Sequence, residues 1–236
     1  MKTWLQLFRA PNLFTVPGDP LAGFLLASGA AVKFRPELLY VIVASMALYG
    51  FGLLLNDLMD FGMDRVERPS RPLPSGRANR GVVWVVAVLL VALGLGLCAM
   101  ASPMTLYFGA TLVVAIVAYN CGLKKIPGIG AVVMGICRGL NLMLGATLVA
   151  PFSVFAIAAA LVVTSYITAV TSLARVETSN PAIPPLIGKL IRALILIQAV
   201  FCAISRTGAA GWVAACVLAL ALWPLSRIVG RKFYGS

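Results

Sequence analysis

Long apolar segments constrain this chain more than any other feature of its sequence. About eight of them follow one another, each of roughly 17 to 25 residues, the length of helix that crosses a bilayer. They lie near 11–32, 38–59, 81–101, 103–120, 127–150, 152–174, 183–205 and 210–229. We therefore expect an all-α fold, a polytopic transmembrane bundle of about eight spans that forms one domain over residues 1–236.

The composition agrees with a membrane setting and excludes several classes of function. The chain is 61% hydrophobic and only 11% charged, which is more apolar surface than a soluble domain can bury. Its five cysteines are scattered in neither a disulfide nor a zinc pattern, and histidine is absent. The net charge of +12 resides in short loops between spans, so anionic lipid headgroups and anionic substrates are better partners than nucleic acid.

The lysines and arginines orient the chain in the membrane. If the spans alternate in direction, fourteen of the nineteen fall on the side of both termini, and only Lys33, Arg35 and Arg206 fall opposite. Cytoplasmic loops carry the excess of positive charge, so we expect an integral membrane protein with both termini in the cytoplasm. The remaining two, Arg138 and Arg192, fall inside spans, and a charge such as that of Arg138 usually has a partner there. Asp19 is one candidate, although its Pro-Gly surroundings fit a helix-end role equally well.

A run of oxygen-bearing side chains at the end of the second apolar segment predicts a metal site. Four of the seven acidic residues lie between positions 57 and 67, on the side assigned to the cytoplasm. On a helix, spacings of three and four residues place one group of side chains on a common face: Asn56, Asp57, Asp60 and Asp64. Carboxylates there repel each other unless cations neutralise them. These oxygens suit a hard cation such as Mg²⁺, whose shell a substrate phosphate often completes.

Basic side chains accompany the acidic run. It continues into the Arg-, Pro- and Ser-rich stretch 65–77, and two further elements carry Lys124 and Arg138. Metal-ligating carboxylates beside guanidinium and ammonium groups make a diphosphate site. Among apolar helices, that site suits an amphiphile with a diphosphate head and an apolar tail, such as a polyprenyl diphosphate. The plainer interpretations are a solvated, self-paired turn for the acidic run and a topology signal for Lys124.

These motifs resemble those of a known family. Asn-Asp-x-x-Asp-x-x-x-Asp at 56–64, followed by Arg-Pro-Leu-Pro-Ser-Gly at 71–76, is similar to the first Asp-rich motif of the UbiA superfamily of intramembrane prenyltransferases. Three further elements resemble that family: Arg9…Asn12, Tyr119-Asn120…Lys124 and Arg138…Asn141. The resemblance implies a helical bundle, usually of nine spans. It also implies that Mg²⁺ helps to ionise a prenyl diphosphate, which alkylates an aromatic or other small acceptor.

The resemblance assigns roles to individual residues. It implies that the ligands of Mg²⁺ are Asn56, Asp57, Asp60 and Asp64, of which Asp60 and Asp64 also count as catalytic residues because they fix the metal on the diphosphate. It implies that the substrate is bound by a second set of residues: Asn12, Arg71, Tyr119, Asn120, Lys124, Arg138 and Asn141.

One motif of the family is missing from this chain. The family carries a second Asp-rich motif after its sixth span, which holds a second Mg²⁺, whereas this chain reads Thr-Ser-Leu-Ala-Arg-Val-Glu-Thr at 171–178. Arg175 could supply the positive charge of the missing metal, and Glu177 is the best candidate for a base, so both are candidate catalytic residues. The variant motif resembles the Ebo-type subgroup, which is associated with secondary-metabolite processing or export.

Three hypotheses remain open on the sequence alone. The first is Mg²⁺-dependent transfer of a prenyl group from a polyprenyl diphosphate to a small acceptor inside the membrane. The second is a non-catalytic protein that binds a prenyl diphosphate or lipid, or assists transport, in a secondary-metabolite pathway. The third is a structural subunit with partners in a membrane complex, in which the acidic motif is a relic. Loss of the second motif is the feature that supports the last two.

Overall fold

The computed structural model describes residues 2–33, 35–174 and 183–234. This part of the chain contains twelve α-helices and no strand, which confirms the all-α fold. In chain order the helices are α1 (Lys2–Leu7), α2 (Ala10–Leu13), α3 (Gly18–Ser28), α4 (Glu37–Met59), α5 (Phe61–Glu67), α6 (Arg80–Ala101), α7 (Pro103–Cys121), α8 (Ile129–Ala146), α9 (Val154–Ala174), α10 (Ile183–Ala203), α11 (Ala209–Val217) and α12 (Trp223–Tyr234).

Seven helical stretches in the described ranges are long and apolar enough to cross a membrane. Six of them are the single helices α4 and α6 to α10, each of which coincides with one predicted segment. The seventh runs from Ala209 to Gly230 and consists of α11, a π-helical turn at Leu218–Leu222 and most of α12. Their number and length make the chain an integral membrane protein.

The first predicted segment, 11–32, is divided into short helices. Pro11 lies in the first turn of α2, and α3 begins immediately after Pro17 and carries Pro20 near its start. A proline has no backbone N–H and disrupts the interior of a helix, so the Pro-Gly-Asp-Pro sequence interrupts the segment as expected. The interruption leaves α3 with 11 residues, too short to cross a bilayer by itself.

Glycines allow the central helices to approach each other closely. A Cβ at Gly145 of α8 would overlap the carbonyl oxygen of Pro20, and one at Gly23 of α3 would overlap that of Leu142. Nearer the start of α8, a Cβ at Gly135 would overlap the backbone of α9. Small residues let helix backbones meet in a membrane, where packing rather than hydrophobic burial holds helices together. Helix α8 is thereby fixed between α3 and α9, with its polar residues near the centre of the bundle.

The N-terminal helices contact both the acidic motif and the C-terminal helix. Arg9, between α1 and α2, places Nη2 3.5 Å from Oδ1 of Asp57 near the end of α4. Ser226 of α12 donates a hydrogen bond of 2.9 Å to the carbonyl oxygen of Pro11. Helices α2 and α12 therefore meet, and the residue that joins α1 to α2 contacts the acidic motif.

Candidate functional site

The acidic motif lies where α4 ends and α5 begins. Asp60 separates the two helices, but its N–H donates to the carbonyl oxygen of Asn56, and the N–H of Asp64 donates to that of Asp60, at 2.9 and 2.8 Å. These hydrogen bonds have the spacing of an α-helix and continue its path through the boundary. The three side chains therefore remain on successive turns, as the sequence predicts.

Each carboxylate of the motif faces a basic side chain from another part of the chain. Three ion pairs result: Arg9–Asp57 at 3.5 Å, Arg71–Asp64 at 2.7 Å and Lys124–Asp60 at 2.6 Å. These cations offset the mutual repulsion of carboxylates held on one short stretch of chain. Arg71 and Lys124 are predicted site residues, whereas the pairing of Arg9 was not foreseen from the sequence.

The ammonium group of Lys124 contacts three side-chain oxygen atoms. Besides Asp60 Oδ1 at 2.6 Å, its Nζ lies 3.2 Å from Asn56 Oδ1 and 3.4 Å from Asn120 Oδ1. The amide of Asn120 is buried, and its Nδ2 donates to the carbonyl oxygen of Ile116 at 3.0 Å, which turns its Oδ1 toward Lys124. Four predicted site residues from two parts of the chain are therefore brought together.

An apolar cavity of about 140 Å³ opens beside this cluster, between α4, α7 and α8. Five predicted site residues line it: Asn56, Tyr119, Asn120, Arg138 and Asn141. Apolar side chains such as Leu53, Leu112 and Ile116 supply much of the remaining wall. The cavity thus has polar groups at its ends and an apolar middle, a shape that suits a ligand with a polar head and an apolar body.

Arg138 belongs to a buried polar network in the centre of the bundle. Its Nε lies 3.1 Å from Oδ2 of the fully buried Asp19, and its Nη2 donates to the carbonyl oxygen of Thr15 at 2.8 Å. Asp19 also accepts hydrogen bonds from Asn141 and Gln198. A full charge at this depth in a membrane needs such partners. Asp19 is therefore both a residue of the first turn of α3 and the partner of Arg138.

Arg138 and the acidic motif lie at different depths of the cavity. The guanidinium carbon of Arg138 is 5.8 Å from the ring centre of Tyr49. Tyr49 precedes Asn56 on α4 by about two helical turns, roughly 10 Å. The structure therefore places Arg138 near Tyr49, away from the end of the cavity that Asn56 lines, and its contact with a diphosphate stays a prediction.

Of the remaining predicted residues that the structure describes, Asn12 is not brought into the cluster. Asn12 of α2 uses its carbonyl oxygen to accept hydrogen bonds from the N–H and Oγ1 of Thr15, at 3.0 and 2.7 Å. Among the described residues that line the apolar cavity, Asn12 is not present. Arg175 and Glu177 lie outside the described residues, so their roles stay predictions.

Three network residues were missed by the sequence reasoning: Thr15, Ser45 and Gln198. Gln198 is fully buried in α10, and Ser45 of α4 donates a hydrogen bond of 2.6 Å to Asn141 Oδ1. A polar side chain inside a span is costly unless it is paired, so the single glutamine of the segment 183–205 was a signal that could have been read. Ser45 and Thr15 gave no such signal, because small hydroxyl residues are common in membrane helices.

A more polar cavity of about 260 Å³ adjoins the first at Arg9, which lines both. Its wall includes Asp57 together with Arg71 and Arg77, and Arg77 Nη1 donates to Gln6 Oε1 at 3.0 Å. Arg9 holds a left-handed backbone conformation with φ 43°, which is uncommon outside glycine and frequent at functional sites. Three guanidinium groups around one cavity make it an anion-binding environment.

The oxygen donors of the motif fit a hard divalent cation. Within the described ranges, no three acidic or cysteine side chains converge closely enough to hold a metal by themselves. Mg²⁺ does not require such a cage, because it is commonly held by one or two carboxylates, with waters and substrate phosphates completing the shell. Asn56 and Asp60 direct oxygens to a common point, and Asp57 Oδ1 is buried without a hydrogen-bond donor. The residues therefore fit a Mg²⁺ ion that shares its shell with a phosphate.

Solved structures share this fold. A UbiA homolog from Archaeoglobus fulgidus bound to GPP and Mg²⁺ matches with a TM-score of 0.64 at 14% identity, over 99% of this chain and 87% of that one. The apo structure of a UbiA homolog from Aeropyrum pernix K1 matches with a TM-score of 0.60 at 16% identity, over 94% and 89%. At these identities the likeness shows the fold alone.

Curated relatives share part of the sequence. The digeranylgeranylglyceryl phosphate synthase of Methanopyrus kandleri is 32% identical over 151 residues, which are 62% of this chain and 53% of the relative. The synthase of the same name from Methanocaldococcus jannaschii is 28% identical over 145 residues, 61% and 51%. The chain spans about half the length of these curated relatives.

A family profile covers nearly the whole chain. The profile of the UbiA prenyltransferase family matches residues 20–233, a range that includes the acidic motif and every helix from α4 to α11. The match confirms the resemblance inferred from the motifs. The chain therefore belongs to the UbiA prenyltransferase family.

Proposed function

We propose that this chain transfers a prenyl group from a prenyl diphosphate to a small acceptor inside the membrane, as one prenyltransferase-like domain over residues 1–236. The observation that carries the proposal is a motif of three carboxylates, each paired with a cation, whose first residue, Asn56, also lines an apolar cavity. The structure of the Archaeoglobus fulgidus homolog with GPP and Mg²⁺ supports the same class of substrate and the same metal for this chain.

The head of the substrate binds, in this proposal, between the acidic motif and its cations. Four residues would hold Mg²⁺: Asn56, Asp57, Asp60 and Asp64. The ion, when bound, neutralises the diphosphate and so favours its departure. Arg9 and Arg71 present guanidinium groups, which match phosphate oxygens in pairs, and Lys124 presents a point charge. These three cations hold the released diphosphate and oppose its return to the prenyl carbon.

The tail of the substrate occupies the apolar cavity. Leu53, Leu112 and Ile116 exclude water from the reacting carbon, which protects an allylic cation from hydrolysis. Tyr49 and Tyr119 also line the cavity, and aromatic rings stabilise a nearby cation through their negative faces. The bond between the prenyl carbon and the diphosphate oxygen breaks, the acceptor forms a bond to that carbon, and the acceptor then loses a proton.

Two residues beyond the described ranges complete the proposal. Glu177 is the candidate to receive the proton that the acceptor loses, and Arg175 is the candidate to face the leaving diphosphate. Their place in the sequence, directly after α9, corresponds to the family's second Asp-rich motif. Substitution of each separately, followed by product formation at several pH values, tests these roles.

The acceptor is proposed to carry a glyceryl phosphate group. The curated relatives are digeranylgeranylglyceryl phosphate synthases, so a glyceryl phosphate that already bears one geranylgeranyl chain is the first acceptor to test. Arg77 lines the second cavity and is not among the cations assigned to the diphosphate, so its guanidinium provides charge for such a phosphate. An aromatic acceptor is the alternative within the same reaction class.

The acidic motif and both ends of this chain are proposed to face the cytoplasm. Lysines and arginines are concentrated at that end of the bundle, and cytoplasmic loops carry such an excess. A soluble prenyl diphosphate head would then approach the motif from the cytoplasm, while its tail enters the cavity between the helices.

A second candidate function is binding of a prenyl diphosphate without transfer. The sequence at 171–178 favours it, because a single glutamate replaces the acidic cluster of the family's second motif. In that case the cavity and the cations still retain the ligand, but the carbon–oxygen bond is not broken.

One experiment separates these functions. Purified protein in detergent is given geranylgeranyl diphosphate and geranylgeranylglyceryl phosphate, with Mg²⁺ or with EDTA, and both bound ligand and released diphosphate are measured. We expect Mg²⁺-dependent release that falls by about 10²-fold or more in Asp60→Ala. Glu67→Ala removes an exposed carboxylate just past the motif and should behave as wild type. Binding without release, with or without Mg²⁺, supports the carrier, and absence of binding under both conditions contradicts both functions.

A further inference from the structure

Two arginines from different helices lie against one aromatic ring, outside the acidic motif. The guanidinium carbon of Arg65 is 5.7 Å from the ring centre of Phe61, and that of Arg80 is 5.0 Å from it. Phe61 and Arg65 are one helical turn apart on α5, whereas Arg80 begins α6. The ring of Phe61 therefore brings together two positive charges that are distant in sequence.

The charges of these two arginines are not compensated by acidic side chains. Within the described ranges, neither arginine forms an ion pair with a carboxylate, and both are exposed. The face of an aromatic ring attracts a cation but leaves its net charge unchanged. Two guanidinium groups beside one ring repel each other, and an anion between them would offset that repulsion and accept hydrogen bonds from both. The arrangement is therefore suited to binding an anion.

The depth of the two arginines in the membrane indicates which anion it is. The span formed by α4 ends at Met59, two residues before Phe61, and the span formed by α6 begins at Arg80. Both guanidinium groups therefore lie at the level where the apolar spans meet the lipid headgroups. The anions concentrated at this level are the headgroup phosphates of anionic lipids, and the planar guanidinium group matches phosphate oxygens in pairs.

The outer face of α6 offers a path for the acyl chain of the same lipid. Trp84 and Val88 follow Arg80 at intervals of four residues and so lie on the same face of the helix. They are 38% and 57% exposed within a membrane span, so this face is open to lipid. Tryptophan is enriched at the headgroup level of membranes. One lipid can thus place its phosphate on the arginines and its chain along α6.

We propose that Arg65 and Arg80 bind the headgroup phosphate of an anionic phospholipid. A zwitterionic headgroup is bound less well, because its ammonium group cancels the negative charge that the two arginines attract. Neither arginine is among the described residues that line the two cavities, so the lipid site is separate from the site proposed for the prenyl diphosphate. The proposal therefore does not depend on the transfer reaction.

The test uses Trp84 as a reporter of the lipid beside it. Replacement of Trp4, Trp212 and Trp223 by Phe leaves Trp84 as the single tryptophan of the full-length chain. This protein is reconstituted into vesicles of phosphatidylcholine and phosphatidylglycerol with matched acyl chains, and one of the two lipids at a time carries bromine near the headgroup end of a chain. Bromine quenches tryptophan fluorescence at short range, so the quenching measures which lipid lies beside Trp84.

The expected result is a preference for phosphatidylglycerol that depends on the two arginines. We expect phosphatidylglycerol to be preferred over phosphatidylcholine by about tenfold, because each arginine near a charged membrane surface contributes about fivefold. Arg65→Gln and Arg80→Gln should each lower the preference by about fivefold, and the double variant should abolish it. Arg68→Gln is the matched control: it removes a neighbouring exposed arginine that has no described contact with the ring of Phe61, and it should keep the preference.

Three results would overturn the proposal. Equal quenching by the two brominated lipids in the protein with Arg65 and Arg80 intact shows that no headgroup is selected. Equal losses in Arg68→Gln and Arg65→Gln show a diffuse surface charge rather than a site. Removal of the preference by inorganic phosphate, but not by sodium chloride at the same ionic strength, shows that the arginines bind a free anion instead of a lipid. Substitution of exposed arginines is compatible with folding, which circular dichroism of each variant verifies.

Discussion

The buried pair of Asp19 and Arg138 allows a quantitative test of how the bundle is held together. Asp19 is fully buried, and Arg138 Nε lies 3.1 Å from its Oδ2. Removal of one partner from a buried pair costs about 3–5 kcal/mol, because the other charge is left uncompensated. For a chain of this size, 1 kcal/mol corresponds to about 2–4 °C in melting temperature. Asp19→Leu is therefore expected to lower the melting temperature in detergent by about 6–20 °C.

The double variant separates compensation of charge from simple loss of contacts. Arg138→Met alone leaves Asp19 uncompensated, whereas Asp19→Leu combined with Arg138→Met removes both charges. Asn141, Gln198 and Thr15 lose partners in the double variant, so full recovery is not expected. Contacting residues can be coupled by about 2 kcal/mol. The double variant should then melt at least about 4 °C above the temperature expected from adding the effects of the two single substitutions.

Thermal unfolding of all four proteins in one detergent, followed by circular dichroism, measures this coupling. Glu67→Leu and Lys125→Met remove exposed charges far from the pair and should shift the melting temperature by only about 1–2 °C. Additive effects of the two core substitutions, or a single core variant that melts as wild type does, would refute compensation between Asp19 and Arg138.

Three further predictions concern packing, the cavity and orientation. Gly145→Leu should lower the melting temperature strongly because its Cβ would overlap the carbonyl oxygen of Pro20, whereas Gly96→Leu, which faces open space, should not. Leu53→Trp narrows the apolar cavity. Compared with wild type, this variant should lose affinity for prenyl diphosphates, and competition binding should show a larger loss for longer prenyl chains. A green fluorescent protein fused after Ser236 should fluoresce in cells and an alkaline phosphatase fused there should be inactive, because we place that end in the cytoplasm. The reverse pattern would contradict the proposed orientation.

The sequence predicts the membrane helices well, because the bilayer fixes their length and their apolar runs are continuous. Helix α6, Arg80–Ala101, differs from the predicted segment 81–101 by one residue. The first segment could be predicted to break at its prolines, but the length of α3 depends on packing against α8. The π-helical turn at Leu218–Leu222 was not foreseen, although Pro224 cannot donate to the carbonyl of Leu220 and so disturbs the regular hydrogen bonding there.

The candidate site could be predicted as a set of residue types, but its pairings could not. Oxygen-bearing side chains at helical spacing point to a metal site by themselves. Which of the adjacent lysines Lys124 and Lys125 reaches Asp60 depends on how the turn after α7 packs beside α4, and that information is not local. The same holds for Arg138, which carries a charge that needs a partner. Its guanidinium donates to the carbonyl oxygen of Thr15, and Gln198 donates to that oxygen and to Asp19, all through contacts between distant helices.

The balance of charge around the motif limits what the site can retain. The described side chains that pair with the motif or line the second cavity comprise four cations and three carboxylates: Arg9, Arg71, Arg77 and Lys124 against Asp57, Asp60 and Asp64. A divalent metal alone would add to this positive excess, whereas a diphosphate offsets both. The site is therefore better suited to a metal and a diphosphate together than to either a bare metal or an uncharged lipid head. A prenyl alcohol of the same chain length, which keeps the apolar contacts but lacks the charges, should consequently compete poorly for bound prenyl diphosphate, and equal competition would show that the tail rather than the head determines binding.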